Sequence, residues 1–101
     1  MDNNMESAEL IDNTSQNQFE INVNGATAFV EYVIRDNKIY LTHTEVPVAL
    51  QGEGVGKTLV KKTLQQIKDN KQVLVPSCSF VAAYINDNPE WHSLLSEGYQ
   101  M

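Results

Sequence analysis

The amino-acid sequence predicts an α/β fold in which a mixed sheet of four or five strands packs against one long helix, followed by short C-terminal helices. The first half of the 101-residue chain alternates apolar and polar residues between tight-turn dipeptides, which is typical of an antiparallel meander. The second half carries apolar residues at helical spacing and then a brief β-branched run. A strand, a helix and a strand in succession produce a parallel crossover, so the predicted sheet is mixed.

Three strands are predicted in the meander. The first covers 19–23, where Phe, Ile and Val alternate with polar residues, and the second covers 26–34. An Asn-Gly pair at 24–25 is a strong tight-turn signal, and an Asp-Asn pair at 36–37 marks the next turn. The third strand covers 38–46, and the proline after it ends the strand because proline cannot donate to a ladder of hydrogen bonds.

The crossover begins with a helix over about 55–70, whose apolar residues predict one buried face. A short buried strand is predicted at 73–75, and a proline again follows it. Ser77 or Ser79 is then expected to cap a second helix. An Asn-Pro pair at 88–89 has the residue types of an N-cap and a first helical turn, and it predicts a final short helix.

One domain is predicted over 18–101, preceded by a flexible tail over 1–17. The tail is rich in Asn, Asp, Ser and Gln, so it has few apolar groups with which to join a core. Only the surroundings of Leu10 and Ile11 are expected to be partly ordered.

The composition argues against several classes of function. Seven basic and thirteen acidic residues give a net charge of −6, which argues against nucleic-acid binding by overall charge. A single cysteine permits no intrachain disulfide, and it does not cluster with the two histidines at ligand spacing, so no metal site is expected. With no signal peptide and no apolar run near about 18 residues, we expect a cytoplasmic, soluble protein with no membrane partner.

The segment 51–56, Gln-Gly-Glu-Gly-Val-Gly, is the most informative stretch of the chain. Its three glycines allow the backbone to approach a ligand closely, and the predicted long helix begins there. A helix start leaves several N–H groups without intrahelical partners and favours negative charge. The segment therefore predicts an anion cradle, most often one for phosphate, with an ordinary strand-to-helix turn as the alternative.

Two well-known phosphate cradles do not fit this segment. A P-loop would end in Gly56-Lys57-Thr58 as observed, but it also requires a glycine at position 51, which is Gln. The dinucleotide fingerprint fails because its last glycine would fall on Lys57 or Leu59. Binding of a nucleotide phosphate therefore remains only a weak alternative.

The segment matches Q/R-x-x-G-x-G/A instead, which is the pyrophosphate-binding signature of GNAT acyltransferases. Together with further motifs in the same order, it makes residues 18–95 resemble the small single-domain GNAT-like N-acetyltransferases. The matching stretches are 43–47, 50–56, 75–81, and Tyr84 with 88–91. The resemblance implies a truncated GNAT fold that lacks the first helices and later strands of the usual acceptor pocket. It therefore implies acyl-CoA binding more firmly than any particular acceptor.

The resemblance also implies where acetyl-CoA would bind. The pantetheine arm would lie along the end of the third strand, near Thr44, Glu45 and Val46, and pair with its backbone as an added strand does. The diphosphate would accept hydrogen bonds from backbone amides of the glycine segment, and Lys57 could add its ammonium unless it is simply solvated. The residues assigned to the cofactor are Thr44, Val46, Gln51, Gly52, Glu53, Gly54, Val55, Gly56 and Lys57.

Cys78 is the candidate nucleophile. It follows the predicted strand at 73–75 and stands at the start of a helix, a position that favours the thiolate. Such a thiolate could accept an acetyl group from the thioester and pass it on, and in the resembling subfamily the matching cysteine lies close to the thioester. The alternative is a small buried apolar residue, since free cysteine is among the most buried residue types.

Three further residues are candidates for proton transfer. His43 and Glu45 alternate with Leu41 on one face of the third strand, unless a bulge re-aims them, and either could take the proton of an incoming ammonium. GNAT enzymes often carry a glutamate base on this strand. They also commonly use a tyrosine on the following helix to protonate the leaving thiolate, and Tyr84 matches it. The alternatives are a structural histidine, a solvated glutamate and a core tyrosine.

The function predicted from these residues is acetyl-CoA-dependent N-acetylation of an unidentified amine, with Cys78 as a candidate intermediate carrier. A non-catalytic acyl-CoA-binding module or sensor is the main alternative, because the acceptor-pocket elements are missing. The expected partners are acyl-CoA and an amine acceptor, and the protein is expected to be a monomer or a homodimer.

Overall fold

The computed structural model describes residues 8–95, and it contains a five-stranded mixed sheet with two α-helices and two short 3-10 helices in that range. The strands lie in sequence order, β1 to β5; neighbours among the first four are antiparallel, and β5 is parallel to β4. The elements are β1 Ile11–Asn13, β2 Gln18–Val23, β3 Ala26–Arg35, β4 Lys38–Glu45, a 3-10 helix at Val48–Leu50, α1 Val55–Asp69, β5 Val73–Pro76, α2 Ser79–Asp87 and a 3-10 helix at Pro89–Leu94. The predicted α/β class and mixed sheet are confirmed.

The two predicted hairpin turns have the backbone conformation that their residues favour. Asn24 and Gly25 have φ of 52° and 82°, and Asp36 and Asn37 have φ of 54° and 65°. Two successive residues with positive φ characterise the turn type whose twist matches that of the flanking strands. These turns fix the register of the meander, pairing Val23 with Ala26 in the first hairpin.

The segment predicted as a tail contributes a strand to the sheet. Ile11–Asn13 forms β1, which pairs antiparallel with β2. Its central residue, Asp12, accepts a hydrogen bond of 2.7 Å from the hydroxyl of the buried Tyr32. Residues 1–7, the rest of the predicted tail before Ala8, lie outside the described residues, as do 96–101.

The hydrophobic core lies between one face of the sheet and the helices. The apolar face of α1 is buried as predicted, with Leu59, Val60, Leu64 and Ile67 all fully inaccessible. They pack against the inward-facing strand residues, and α2 adds its own apolar side chains to the same cluster. Within residues 8–95, neither helix combines the length and apolar character needed to cross a bilayer.

The opposite face of the sheet is not covered by α1 or α2. On β3, Ala28, Val30 and Tyr32 are buried in the core, so the intervening Phe29 and Glu31 face the other way. We call this second surface the open face; it is carried by Phe29, Glu31, Val33, Tyr40, His43 and Glu45.

A bulge at Thr42 determines which β4 side chains reach the open face. Tyr32 pairs with Leu41 and the preceding Glu31 pairs with His43, so Thr42 is an extra residue on β4. The bulge reverses the alternation, because side chains two residues apart normally share a face. The strand does contain the bulge that the sequence analysis allowed for, so His43 does not share the face of Leu41: Leu41 is buried, whereas His43 is exposed opposite Glu31.

The raised pKa of the Tyr32 hydroxyl predicts that the folded protein loses stability at alkaline pH. Burial and the neighbouring Asp12 raise the pKa of Tyr32 from 10.0 to about 12. Because the folded protein holds this proton more tightly than the unfolded chain, the associated stability is complete below pH 10 and is lost as the pH rises towards 12. We expect the free energy of unfolding to fall by about 2 kcal/mol over that range through this group.

Urea unfolding at a series of alkaline pH values measures this loss. Tyr32→Phe is expected to flatten the profile and to cost about 1 kcal/mol at neutral pH, where it removes the bond to Asp12. Tyr40→Phe, on the open face, is the matched control. A Tyr32→Phe profile as steep as that of the parent would contradict the assignment.

Candidate functional site

Strands β4 and β5 diverge at one side of the sheet, where β5 is the edge strand. β4 pairs with β3 as far as Glu45, but its pairing with β5 ends where Leu41 meets Pro76. Cys78 lies where the two strands separate, and its N–H donates a hydrogen bond of 2.8 Å to the Leu41 carbonyl. Beyond that point, the backbone edge of residues 42–45 on the β5 side has no strand partner among residues 8–95.

A cleft of about 570 Å³ lies beside this edge and reaches the start of α1. It brings together eight of the nine residues that the sequence assigned to a cofactor, and Glu53 is the exception. The lining residues are Thr44, Glu45, Val46, Leu50, Gln51, Gly52, Gly54, Val55, Gly56, Lys57 and Phe80. The end of β4 and the glycine segment thus form two walls of one cavity.

The glycine segment leaves its backbone amides available. Gly52 and Gly54 have φ of 85° and 78°, values that favour glycine, and Gly54 directly precedes α1. The first amide of the helix with a backbone acceptor is that of Thr58, which donates to Gly54 at 3.0 Å. Within the described residues, no amide from 52 to 57 donates to a protein acceptor. A row of donors therefore lies at the positive end of the α1 dipole.

The side chain of Gln51 fixes the position of this segment. Its Nε2 donates to the backbone carbonyl of Val46 at 3.0 Å, which ties the glycine segment to the end of β4. Gln51 thus holds one wall of the cleft against the other.

Gly56 permits a close approach between α1 and α2. A Cβ at this position would lie 2.9 Å from Phe80 Cζ and 3.3 Å from Val46 Cγ2. Phe80 is 40% exposed although it is large and apolar, because it borders the cleft instead of the core. The sequence analysis did not select Phe80. A signal existed, since Val81 and Ile85 form the buried face of α2 and leave Phe80 on another face.

Cys78 lies at the N-cap position of α2, so the expectation that Ser77 or Ser79 caps this helix is wrong. Its sulfur is 3.4 Å from Thr44 Oγ1, which itself lines the cleft. The Cys78 side chain is 9% exposed and does not line the cleft directly. The Thr44 hydroxyl therefore lies in contact with both the cleft and the Cys78 sulfur.

His43 and Glu45 lie next to each other on the open face. Their side chains are each 54% exposed, and His43 Nε2 is 2.9 Å from Glu45 Oε1. Glu45 also lines the cleft, so the pair stands where the cleft meets the open face. Thr44, between them in sequence, faces the other way, towards Cys78. The end of β4 therefore has the Thr44–Cys78 contact on one side and the His43–Glu45 pair on the other.

Tyr84 belongs to a neighbouring cavity. This cavity of about 490 Å³ lies between α1 and α2, and it shares Lys57 and Phe80 with the cleft. Burial, and then the charge of Glu90, raise the pKa of Tyr84, so the phenol keeps its proton at neutral pH. Tyr84 does not line the cleft.

The second cavity contains residues to which the sequence analysis assigned no catalytic or cofactor-binding role. They include Lys61, one helical turn after Lys57, and Asn88, whose Nδ2 donates to the Tyr84 carbonyl at 2.8 Å. A signal for Lys61 was its spacing of four residues from Lys57, which puts both lysines on one face of α1. Two cations therefore flank a cavity that adjoins the glycine segment.

Comparison with known proteins agrees with this geometry. Residues 18–94 match the family model of the GCN5-related N-acetyltransferases. Protein NATD1 of Xenopus tropicalis is 32% identical over 76 residues, covering 71% of this chain and 69% of that protein. Mouse (Mus musculus) NATD1 is 33% identical over 76 residues, with coverages of 71% and 68%.

A solved structure shares the fold. The NMR structure of a GCN5-like protein from Staphylococcus aureus superimposes with a TM-score of 0.65 at 28% sequence identity, covering 91% of this chain and 94% of the other. The family model spans most of the chain, including the cleft, the glycine segment and Cys78. This chain therefore belongs to the GCN5-related N-acetyltransferase family, and its family and fold are those of an acetyltransferase.

Proposed function

We propose that this protein transfers an acetyl group from acetyl-CoA to a primary amine. One observation carries the proposal: the unpaired edge of β4 and the unengaged amides of residues 52–57 border the same cleft. An acyl-CoA combines an amide-rich arm with a diphosphate, and these two walls offer the matching groups. Bound acetyl-CoA would supply an activated acyl thioester.

The unpaired edge suits the pantetheine arm. Backbone groups of residues 42–45 that face away from β3 have no strand partner, so they can pair with amides of an extended ligand. The Val46 carbonyl is excluded from this role because it already accepts a hydrogen bond from Gln51.

The start of α1 suits the diphosphate. The amides of Val55, Gly56 and Lys57 lie in the first turn of the helix, where the helix dipole favours an anion. The positive φ of Gly54 turns the chain into this position. Lys57 lines both cavities and would add a positive charge near the phosphates. Glu53 does not line the cleft, and we assign it no contact with the ligand.

Cys78 is our proposed acyl carrier. Its sulfur would attack the thioester carbonyl, the bond from that carbon to the coenzyme's sulfur would break, and the thiol proton of Cys78 would pass to the departing sulfur. The contact with Thr44 Oγ1 at 3.4 Å supports this role, because a hydroxyl there can orient the sulfur towards the cleft. An amine would then attack the carbonyl carbon of the acylated Cys78, the bond from that carbon to the Cys78 sulfur would break, and a proton from the amine would return to the sulfur to regenerate the thiol.

His43 and Glu45 are our proposed groups for taking the proton from the amine. They are hydrogen-bonded to each other and exposed, so an amine arriving from the open face would meet them first. Glu45 also borders the cleft, which brings its carboxylate close to the place where the acyl group is offered.

A turnover assay tests the proposal. The purified chain is incubated with acetyl-CoA and a panel of primary amines, and release of free coenzyme A thiol is followed. We expect thiol release that saturates with at least one amine and is absent with tertiary amines of similar size. If acetyl-CoA binds but no amine in the panel causes release of coenzyme A thiol, the transferase proposal is contradicted.

One observation favours a second function, an acyl-CoA-binding module without turnover. Cys78 is only 9% exposed and Tyr84 lies in the neighbouring cavity, so the proposed catalytic groups do not converge on one point. This alternative predicts coenzyme A binding that is unaffected by Cys78→Ala, together with no amine-dependent thiol release.

A further inference from the structure

The open face joins an aromatic and apolar surface to the site. Phe29 and Tyr40 are partly buried, and Val33 is 44% exposed. Phe29 and Val33 stand four residues apart on β3, which is about 13 Å along the strand. These side chains give the open face an apolar strip that begins beside the site.

Acidic side chains surround Phe29 at one end of the open face. Glu20 on β2 and Glu45 on β4 are its direct cross-strand partners, and Glu31 pairs with His43 in the next row. Because neighbouring strands are about 4.8 Å apart, Glu20 and Glu45 are carried on strands within about 10 Å of each other. We call this end of the open face the acidic end.

Lysine and arginine are absent from the strand segments that carry the acidic end, where the one basic side chain is His43, hydrogen-bonded to Glu45. The sequence has no Lys or Arg in 1–34 or in 39–56. Arg35 and Lys38 pair with each other at the far end of the face, six residues from Phe29 and about 20 Å away. The acidic end therefore attracts a cation, while Val33 and Tyr40 offer apolar contact further along.

The acidic end also adjoins the cleft. Glu45 belongs to both the open face and the cleft. Thr44, which precedes it in β4, contacts the Cys78 sulfur. A cationic group held at Phe29 and Glu45 would thus lie on the other side of β4 from the candidate acyl carrier. The divergence of β4 from β5 leaves an opening at this position in the sheet.

We infer that the open face binds a lysine-bearing segment of an extended peptide, which is the acetyl acceptor. The inference rests on the proposed function, and it names the acceptor class. The lysine ammonium lies at the acidic end beside Phe29, and an apolar side chain about four residues away packs on Val33 and Tyr40. A small amine would leave this apolar surface uncovered, and a second copy of a chain with net charge −6 would bring like charge.

Backbone amide shifts in an NMR titration test the inference without requiring turnover. The probe is a capped peptide with one lysine and a leucine about four residues away, and the control peptide carries acetyl-lysine instead. We expect saturable shifts at Phe29, Glu31, His43 and Glu45 with the lysine peptide only. Glu31→Gln is expected to weaken peptide binding roughly fivefold. The control variant is Asp69→Asn at the end of α1, which removes the same charge away from the open face and is expected to leave peptide affinity unchanged.

The outcomes separate the inference from the proposed function. Shifts that fall on α1 and α2, or no shifts, overturn the inference even if coenzyme A binds normally. A small primary amine that binds as tightly as the peptide overturns the choice of a peptide. Shifts on the open face that depend on protein concentration alone identify a second copy as the occupant and also overturn it. Failure of coenzyme A to bind in a parallel titration would overturn the proposed function and leave peptide binding as a separate result.

Discussion

Gly56→Leu is expected to weaken coenzyme A binding by roughly 100-fold, or about 3 kcal/mol. A Cβ at this position would already lie 2.9 Å from Phe80 Cζ, and the longer side chain would extend into the cleft. Phe80 would have to move, and the diphosphate would lose its closest approach to the amides of Val55 and Lys57. Isothermal titration calorimetry with coenzyme A measures the change in affinity.

Gly25→Leu is the matched control for this substitution. Gly25 has φ of 82° in a hairpin turn, and a Cβ there would meet nothing within 4 Å. The control is expected to cost about 1–2 kcal/mol of stability through backbone strain and to bind coenzyme A with the parent affinity. Gly56 is helical, so leucine there creates little backbone strain, but it crowds Phe80 and lowers stability through overpacking. Urea unfolding of Gly56→Leu is therefore measured beside the titration, and the loss of affinity is judged on the folded variant. Parent-like affinity in Gly56→Leu would mean that the diphosphate does not lie at the start of α1.

Cys78→Ala is expected to lower amine-dependent turnover at least roughly 100-fold while leaving coenzyme A affinity unchanged. The sulfur is the only thiol of the chain, and Thr44 Oγ1 holds it 3.4 Å away at the edge of the cleft. Intact-mass measurement after incubation with acetyl-CoA, before any amine is added, should detect one added acetyl group in the parent and none in the variant.

Thr44→Val provides the control that separates chemistry from packing. It keeps the thiol and a side chain of the same shape but removes the hydroxyl contact, so we expect acylation to be slowed roughly tenfold and not abolished. Full turnover in Cys78→Ala, with no acetylated parent protein, would indicate direct transfer from the thioester to the amine.

The fold was readable from the sequence where local chemistry determines the backbone. The pairs at 24–25 and 36–37 contain the residue types that tolerate positive φ, so both hairpins and their register followed. The face of α1 followed from its helical periodicity, which matches the buried residues. β1 was not predicted as a strand, because three mostly polar residues at a sheet edge carry almost no periodicity.

The candidate site was readable only in part. The glycine segment could be predicted because the residue type itself reports the required backbone freedom. The bulge at Thr42 could be named only as an alternative, because the polar residues after Leu41 do not show which face they occupy. One signal was present: Leu41 and Val46 both pack against the core, yet residues five apart in a regular strand point to opposite faces. An odd spacing between core residues therefore indicated an extra residue in β4.

The bulge gives β4 two roles at one position. It directs Thr44 towards Cys78 and the cleft, and it directs His43 and Glu45 to the open face. In a regular strand these groups would exchange sides. An acyl donor and an acceptor could thus approach the same strand from opposite faces of the sheet, which suits a small domain in which α1 and α2 cover only one face.

The most direct test is a crystal structure of the chain with coenzyme A, in which the distances from the diphosphate oxygens to the backbone nitrogens of Val55, Gly56 and Lys57 are measured. We expect at least two of these distances to fall within about 2.7–3.2 Å, with the pantetheine arm beside residues 42–45. A diphosphate bound elsewhere, or amides of residues 52–57 that contact only water or protein, would contradict acyl-CoA binding at this cleft.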